Sequence, residues 1–285
     1  MSVLNTTQAN RLFYGSTEAK ELWLGSTKLW TKPSSSSFSP LDLFAGGFKG
    51  LWIDPSDFTT MFQNTAGTTP VTGVGQAVAL IKDKSGNVVN LSQGVTTKQP
   101  LLQQDENGKY YLYFDGVDDF YFSVGTLNLS TAYAFTSFVG MRKLRDSSMG
   151  TVFELGVGAG SIAVNAPRNA GVANYSTTIR ATAAVEAITA GSYTSPHSAI
   201  ITASGDTTTS PGSLNLRING ALVKSMTGTY TGPFANTRLD VGCRNGAGFY
   251  GNHRLYGLII VGKACDASTI AQTEQWMANK SGIAL

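Results

Sequence analysis

Lys109-Tyr-Tyr-Leu-Tyr-Phe-Asp-Gly-Val-Asp-Asp-Phe-Tyr-Phe-Ser123 decides how the rest of the chain is read. Tyr110, Leu112 and Phe114 fall on one side of an extended run and Tyr111 and Tyr113 on the other, the period of two that a strand requires. A second aromatic run, Phe120-Tyr121-Phe122, follows the turn Asp115-Gly116-Val117-Asp118-Asp119. Asp-Gly between apolar runs is a hairpin signal, because glycine enters positive φ without a Cβ penalty. The stretch is therefore read as a β-hairpin with bulky residues on both faces, suited to a place between two sheets.

Strand signals continue on either side. Leu51-Trp-Ile-Asp-Pro-Ser-Asp57 is a strand entering a turn, and Gln76 to Gly86 a strand ending in a polar turn. Ala134 to Met141 and Gly150 to Gly156 follow, whereas residues 157–211 carry weaker signals, with short strands expected near Asn174–Ala181 and His197–Ala203. In Ser213-Leu-Asn-Leu-Arg-Ile-Asn-Gly220, the apolar residues Leu214, Leu216 and Ile218 alternate with polar ones and run into Asn219-Gly220, a strong two-residue hairpin turn. Arg238 to Cys243 repeats the alternation, and Arg254 to Val261 reads as a buried strand. One helix closes the chain, with Asp266 or Ser268 to cap it, Ile270 and Met277 on one face, and Gly282 near its exit. The pattern predicts an all-β fold: a two-sheet antiparallel jelly-roll sandwich with a short C-terminal helix, preceded by a small N-terminal β-hairpin module.

That module occupies residues 1–32, where Leu12-Phe-Tyr-Gly-Ser-Thr17 and Leu22-Trp-Leu-Gly-Ser-Thr27 recur ten residues apart. A unit so small is hard to stabilise alone, and Phe13, Trp23 and Trp30 give it an apolar surface. It either caps its own main domain or docks onto another subunit, and docking is the sharper reading. Residues 33–40, rich in Ser and Pro, form a linker, and residues 41–285 form the sandwich domain.

Of the 285 residues, 42% are apolar but only 14% charged, and Gly reaches 32, so the surface is expected to be neutral and rich in hydroxyls. A net charge of +3 is too small to imply nucleic acid, and Met141-Arg-Lys-Leu-Arg145 reads as a solvated loop. No apolar run has the length of a membrane span, and Met1 to Gln8 lacks the pattern of a secretory signal. Synthesis in the cytoplasm is expected, with exit by lysis or as part of a particle.

Little catalytic chemistry is legible. Glycoside hydrolysis uses two carboxylates about 5–9 Å apart, at i and i+2 of a strand or on adjacent strands. Glu154 is the one Glu inside a clear strand, and it has no acid at i+2. No catalytic residue is assigned. Asp115, Asp118 and Asp119 are either backbone-binding turn residues or part of a Ca²⁺ site completed by carbonyls. Cys243, His253 and Cys265 lack the short spacings of a zinc site. Cys243 reads as a small buried hydrophobe, a Cys243–Cys265 disulfide stays open, and His197 and His253 read as loop residues. Arg244, Asn245, Phe249 and Tyr250 bring together the parts of a carbohydrate site, and the same parts serve a subunit contact equally well.

Three passages carry a family resemblance: Gly50-Leu-Trp-Ile-Asp-Pro-Ser-Asp57 with Gln63 and Gly67-Thr-Thr-Pro-Val71; Val78 to Gly86 with Gln99-Pro-Leu101; and Tyr113-Phe-Asp-Gly-Val-Asp-Asp119. In this order they resemble the concanavalin A-like (laminin G-like) jelly-roll domain of tailed-bacteriophage structural proteins. The close, Leu255 to Val261 followed by a helix and Gly282-Ile283, is similar too. The Gly-Ser-Thr repeat resembles modules that begin phage tail and fibre proteins. The resemblance implies a virion subunit of fibre, spike, tail or head decoration, as a homo-oligomer held to other virion proteins through residues 1–32. A host glycan is the expected partner if the domain is a receptor-binding lectin. The glucanase branch of the fold carries Glu-x-Asp-x-x-Glu, which this chain lacks, so a glycan depolymerase is the least favoured reading.

Overall fold

Tyr110–Asp115 and Tyr121–Ser123 are both strands, but they do not pair with each other. The computed structural model describes residues 13–14, 17–19, 21–31, 38–180, 184–230 and 232–285, and divides the chain into two units, Met1–Phe38 and Ser39–Leu285. In the larger unit Tyr110–Asp115 has a neighbour on each edge, Leu101–Gln104 and Asn252–Val261. Tyr121–Ser123 is likewise flanked, by Leu239–Val241 and Leu91–Ser92, in the other sheet. With both edges of both strands occupied, no hairpin between them is available. Residues 115–119 are an arch that carries the chain from one sheet to the other, and the hairpin expected from Asp115-Gly116 is corrected accordingly. Phe114 and Tyr121, at the two feet of the arch, meet edge to face in the core at 5.9 Å between ring centres.

The eight-stranded sheet runs Ala221–Gly228, Gly212–Ile218, His197–Asp206, Ala134–Lys143, Asn252–Val261, Tyr110–Asp115, Leu101–Gln104, and Gly50–Ile53 pairs with the far half of Asn252–Val261. The nine-stranded sheet runs Ala184–Ile188, Ser176–Arg180, Ile162–Asn165, Thr151–Leu155, Leu239–Val241, Tyr121–Ser123, Leu91–Ser92, Leu80–Ile81, Met61–Phe62. Every pairing within them is antiparallel, and the core between them takes Leu112, Phe114, Phe135, Phe153, Tyr175, Leu216 and Phe234, all essentially inaccessible. Leu214, Leu216 and Ile218 point inward as their alternation demands, and Asn219 (φ 48°) and Gly220 (φ 79°) make the two-residue turn. The long strand expected over Gln76–Gly86 shrinks to Leu80–Ile81, because the turns around it bond elsewhere: Lys84 N–H donates to Trp52 O and Val78 N–H to Pro100 O.

The helix Ala267–Ser281 lies on the outer face of the eight-stranded sheet. Asp266 caps it, its Oδ1 accepting from Thr269 N–H at 2.7 Å, and Gly282 leaves it at φ 66°. Gly140 and Gly257, directly opposite each other on neighbouring strands, make the seat for Met277. A Cβ at Gly140 would stand 2.9 Å from Met277 Cγ, and one at Gly257 2.8 Å from its Sδ. Only a pair of glycines leaves the sheet flat enough for this residue, which is fully buried.

Met141–Arg145 is not a solvated loop. Arg142 and Lys143 end the strand Ala134–Lys143, and Lys143 is wholly buried, its Nζ 2.6 Å from Asp146 and 4.8 Å from the centre of the Tyr175 ring. His253 is also no loop residue: it sits inside Asn252–Val261, fully buried and stacked on Phe114 at 4.7 Å. His197 begins a strand and meets the Tyr175 hydroxyl at 2.9 Å. No described helix is long and apolar enough to cross a membrane.

In the smaller unit Phe13–Tyr14 pairs with Thr17–Glu18, and Glu21–Leu24 with Thr27–Thr31. Leu24 and Leu29 are exposed. The side chains of Phe13, Trp23 and Trp30, on which attachment was expected to rest, lie outside the described residues. The larger unit begins at Ser39, whose hydroxyl accepts from Leu41 N–H and whose own N–H donates to Asp42.

Candidate functional site

The outer face of the nine-stranded sheet is polar, and one end of it is built around the turn 244–250. The turn is pinned at both sides: Arg244 N–H donates to Gly248 O, Thr151 N–H to Phe249 O and Gly251 N–H to Gly242 O. Gly246, at φ 68°, lies against Phe122, where a Cβ would meet the ring at 2.5 Å. The same turn holds Asn245 and Phe249 at φ 51°, a backbone region that side-chain-bearing residues rarely occupy. Phe249 is 47% exposed, so the strained backbone presents a large ring to solvent.

Beside the turn is a polar cleft of about 220 Å³, lined by Gly156, Val157, Thr237, Arg238, Asp240 and Asn245. Asp240 follows from the alternation of Leu239-Asp240-Val241: its neighbours face the core, so it faces out. Its carboxylate accepts from Arg238 Nε at 2.8 Å, and the Asn245 and Gly246 N–H groups of the turn stabilise its charge. The Arg238 guanidinium also lies 3.7 Å from the centre of the Phe122 ring. Burial raises the Asp240 carboxyl above its ordinary range, against the lowering pull of Arg238.

Directly across the strand pair from Asp240 is Glu154. It is 1% exposed, roofed by Arg180 at 2.5 Å and Arg244 at 3.2 Å, and burial raises its pKa too. The two carboxylates on adjacent strands are an arrangement that spacing within a single strand does not reveal. Yet Glu154 is shut beneath its arginines and Asp240 is engaged on three sides, so the pair is not set to flank a glycosidic bond.

The four expected contact residues are thus brought to one end of the sheet with different duties. Asn245 and Phe249 face outward, Arg244 turns back to Glu154 and over Phe249 at 5.5 Å, and Tyr250 is half-buried near Phe120. Sequence reading missed Arg238, Asp240 and the role of Glu154. The outward place of Asp240 in its strand was the available signal.

Asp115, Asp118 and Asp119 do come together, with ligand-type oxygens within 4.8 Å of one another. Asp115 Oδ1 accepts from Val117 and Asp118 N–H, and Asp119 Oδ2 from Asp115 N–H at 3.0 Å, so these carboxylates close the arch. Burial, reinforced by the two neighbouring carboxylates, pushes Asp119 up to about 6. Cys243 and Cys265 are both free, and burial pushes the Cys243 thiol up to about 12. Among the described residues, Cys243, His253 and Cys265 form no metal-ligating group.

No protein-family model matches the chain, and no curated protein does. Solved structures match it in fold. The receptor-binding domain of botulinum neurotoxin D is 13% identical, with 84% of this chain and 54% of that one covered at a TM-score of 0.56. The serotype D ligand-binding domain solved in complex with N-acetylneuraminic acid gives 14%, 84% and 53%, at 0.54. The serotype G binding domain gives 15%, 70% and 49%, at 0.53. The chain spans about half the length of these domains. Such low identity establishes a shared β-sandwich fold and nothing finer. These neighbours are toxin domains rather than phage proteins, so the sandwich half of the family resemblance stands, while its phage setting rests on the sequence passages.

Proposed function

We propose that the protein is a non-enzymatic carbohydrate-binding sandwich, carried on a bacteriophage virion as a fibre, spike, tail or decoration subunit. The observation that carries the binding part is the cleft beside turn 244–250. Arg238, Asp240 and Asn245 offer charged and amide groups to sugar hydroxyls, and Phe249, exposed on the same turn as Asn245, offers a ring to the apolar face of a sugar. The neighbours lend support by their own ligands: one binds N-acetylneuraminic acid, and cell entry of neurotoxin type C depends on two ganglioside molecules. Because this chain spans about half of such domains, the position of those ligands does not transfer to it. The virion part is supported by the phage-like passages at 50–57, 78–86 and 113–119 and by the low charge. It makes the protein a homo-oligomer attached to other virion proteins through residues 1–32.

Glycan-array and host-surface binding by the multimerised full chain tests the binding part. Saturable binding that weakens about tenfold in Phe249→Ala or Asn245→Ala, roughly 1.4 kcal/mol, is expected. Clean failure of the multimerised protein on every glycan overturns it. Deleting residues 1–32 is expected to abolish incorporation into particles, and normal incorporation of the truncated chain removes the attachment role.

A further inference from the structure

The face that carries the helix is not covered to its end. Two residues beyond Gly140, the same side of the eight-stranded sheet presents Arg142, and directly across from it Arg254. Tyr113 is opposite Arg254 on the next strand, and Ser198 opposite Arg142 on the other side. Two arginines directly opposite each other on adjacent strands repel each other, unless an anion lies between them. Neither lies within hydrogen-bond distance of a carboxylate. Arg142 Nε and Arg254 Nη1 are buried atoms without a hydrogen-bond partner, although the residues keep 30% and 24% of their side-chain surface exposed. The Arg254 guanidinium lies 4.9 Å above the Tyr111 ring, and the Tyr256 hydroxyl donates to Asp105.

The acid nearest to both is Glu106, on the turn between Leu101–Gln104 and Tyr110–Asp115. Its carboxylate oxygens stand 3.8 Å from Arg142 Nη1 and 3.9 Å from Arg254 Nη1, beyond hydrogen-bond reach of either. Glu106 is 69% exposed and lies on a reverse turn closed by Gly108. It straddles the pair loosely, as a tethered carboxylate that solvent can draw away.

We propose that Arg142 and Arg254 form an oxyanion-binding site, with Tyr113 beside it and Glu106 as its displaceable internal occupant. The ligand chemistry is a carboxylate, sulfate or phosphate group whose oxygens take guanidinium N–H groups of both arginines in the place that Glu106 now occupies, the paired geometry that guanidinium favours. The site is on the other sheet from the glycan cleft and does not depend on that reading.

The test is a titration of the full chain at low salt with glucuronate, inorganic sulfate and inorganic phosphate, with glucose as the uncharged control, followed by calorimetry and by the shift in melting temperature. At least one anion is expected to bind saturably while glucose does not. Preference for glucuronate assigns the site to a carboxylated sugar, and preference for phosphate or sulfate to those esters. Arg142→Gln and Arg254→Gln are expected to weaken binding at least tenfold. Glu106→Gln, at an exposed position that the fold does not need, is expected to strengthen binding several-fold, because it removes the competing carboxylate. Binding of no anion, or anion binding unchanged in Arg142→Gln, overturns the proposal. So does weaker binding in Glu106→Gln, which keeps the test decisive even where an arginine variant fails to fold.

Discussion

Two patches on the outward faces of the sandwich, the seat of Met277 and the sheet around Glu154 and Asp240, are built by opposite rules. On the eight-stranded sheet, Gly140 and Gly257 strip side chains away to make the apolar seat of Met277, while Arg217 at its side pairs with Glu274 of the helix at 2.8 Å. On the nine-stranded sheet, Glu154, Asp240, Asn165, Ser176 and Thr178 keep polar groups in the sheet, held by polar neighbours and by arginines. The Met277 seat is held by shape and the polar patch by partners. A substitution on the first therefore acts through lost volume, and one on the second through unpaired charge.

Met277→Ala sets the largest expected effect, a loss of about 2–5 kcal/mol, since it empties a fully buried seat that two glycines cannot refill. Chemical denaturation measures it, and a loss below 1 kcal/mol would mean that the helix is not an integral part of the core. The arch that joins the sheets answers to pH. Asp119 has a pKa of about 6 in the folded chain, against 3.8 ordinarily, so between these values the folded state keeps a proton that the unfolded state has lost. Its contribution to stability is therefore full below the lower value and lost as pH rises through the upper, a change of order 1–3 kcal/mol. His253, held near 3 by burial, acts in the opposite sense over an overlapping range, so the relevant curve is the difference between wild type and Asp119→Asn. That difference should favour the variant at pH 8 and vanish near pH 4. A flat difference would show that the arch carboxylates are discharged in some other way.

On the polar face, Glu154→Gln keeps the volume and removes the charge. A loss of at most about 1 kcal/mol is expected, because burial already opposes the Glu154 charge and because Arg180 and Arg244, 18% and 28% exposed, can hydrate. Thermal melts at low and high salt check it, and a loss as large as that of Met277→Ala would erase the distinction between the faces. Asp266→Ala tests only the helix cap and should give the smallest loss of stability of these variants. A change confined to fraying of the first turn, seen by hydrogen exchange, is the expected signature.

Local patterning was legible wherever one neighbour decides the outcome. The alternation at Leu214, Leu216 and Ile218, the Asn219-Gly220 turn and the Asp266 to Gly282 helix all follow from the chain alone, because their periods and φ demands are written in adjacent residues. Of the candidate glycan site, Asn245 and Phe249 were visible for the same reason, as polar and aromatic residues in a glycine-rich turn. Whether Asp115-Gly116 makes a hairpin or an arch was not local. It depends on strands as distant as Asn252–Val261 and Leu239–Val241 taking the edges that a hairpin would need. The pairing of Glu154 with Asp240, the burial of Lys143 and His253, and the confrontation of Arg142 with Arg254 were equally hidden. The sequence by itself determined a sandwich of alternating strands and a capped helix, since side-chain period and turn chemistry are properties of neighbours along the chain. The tertiary structure alone decided which charges face each other, because strand register is set across the sheet by residues a hundred positions apart.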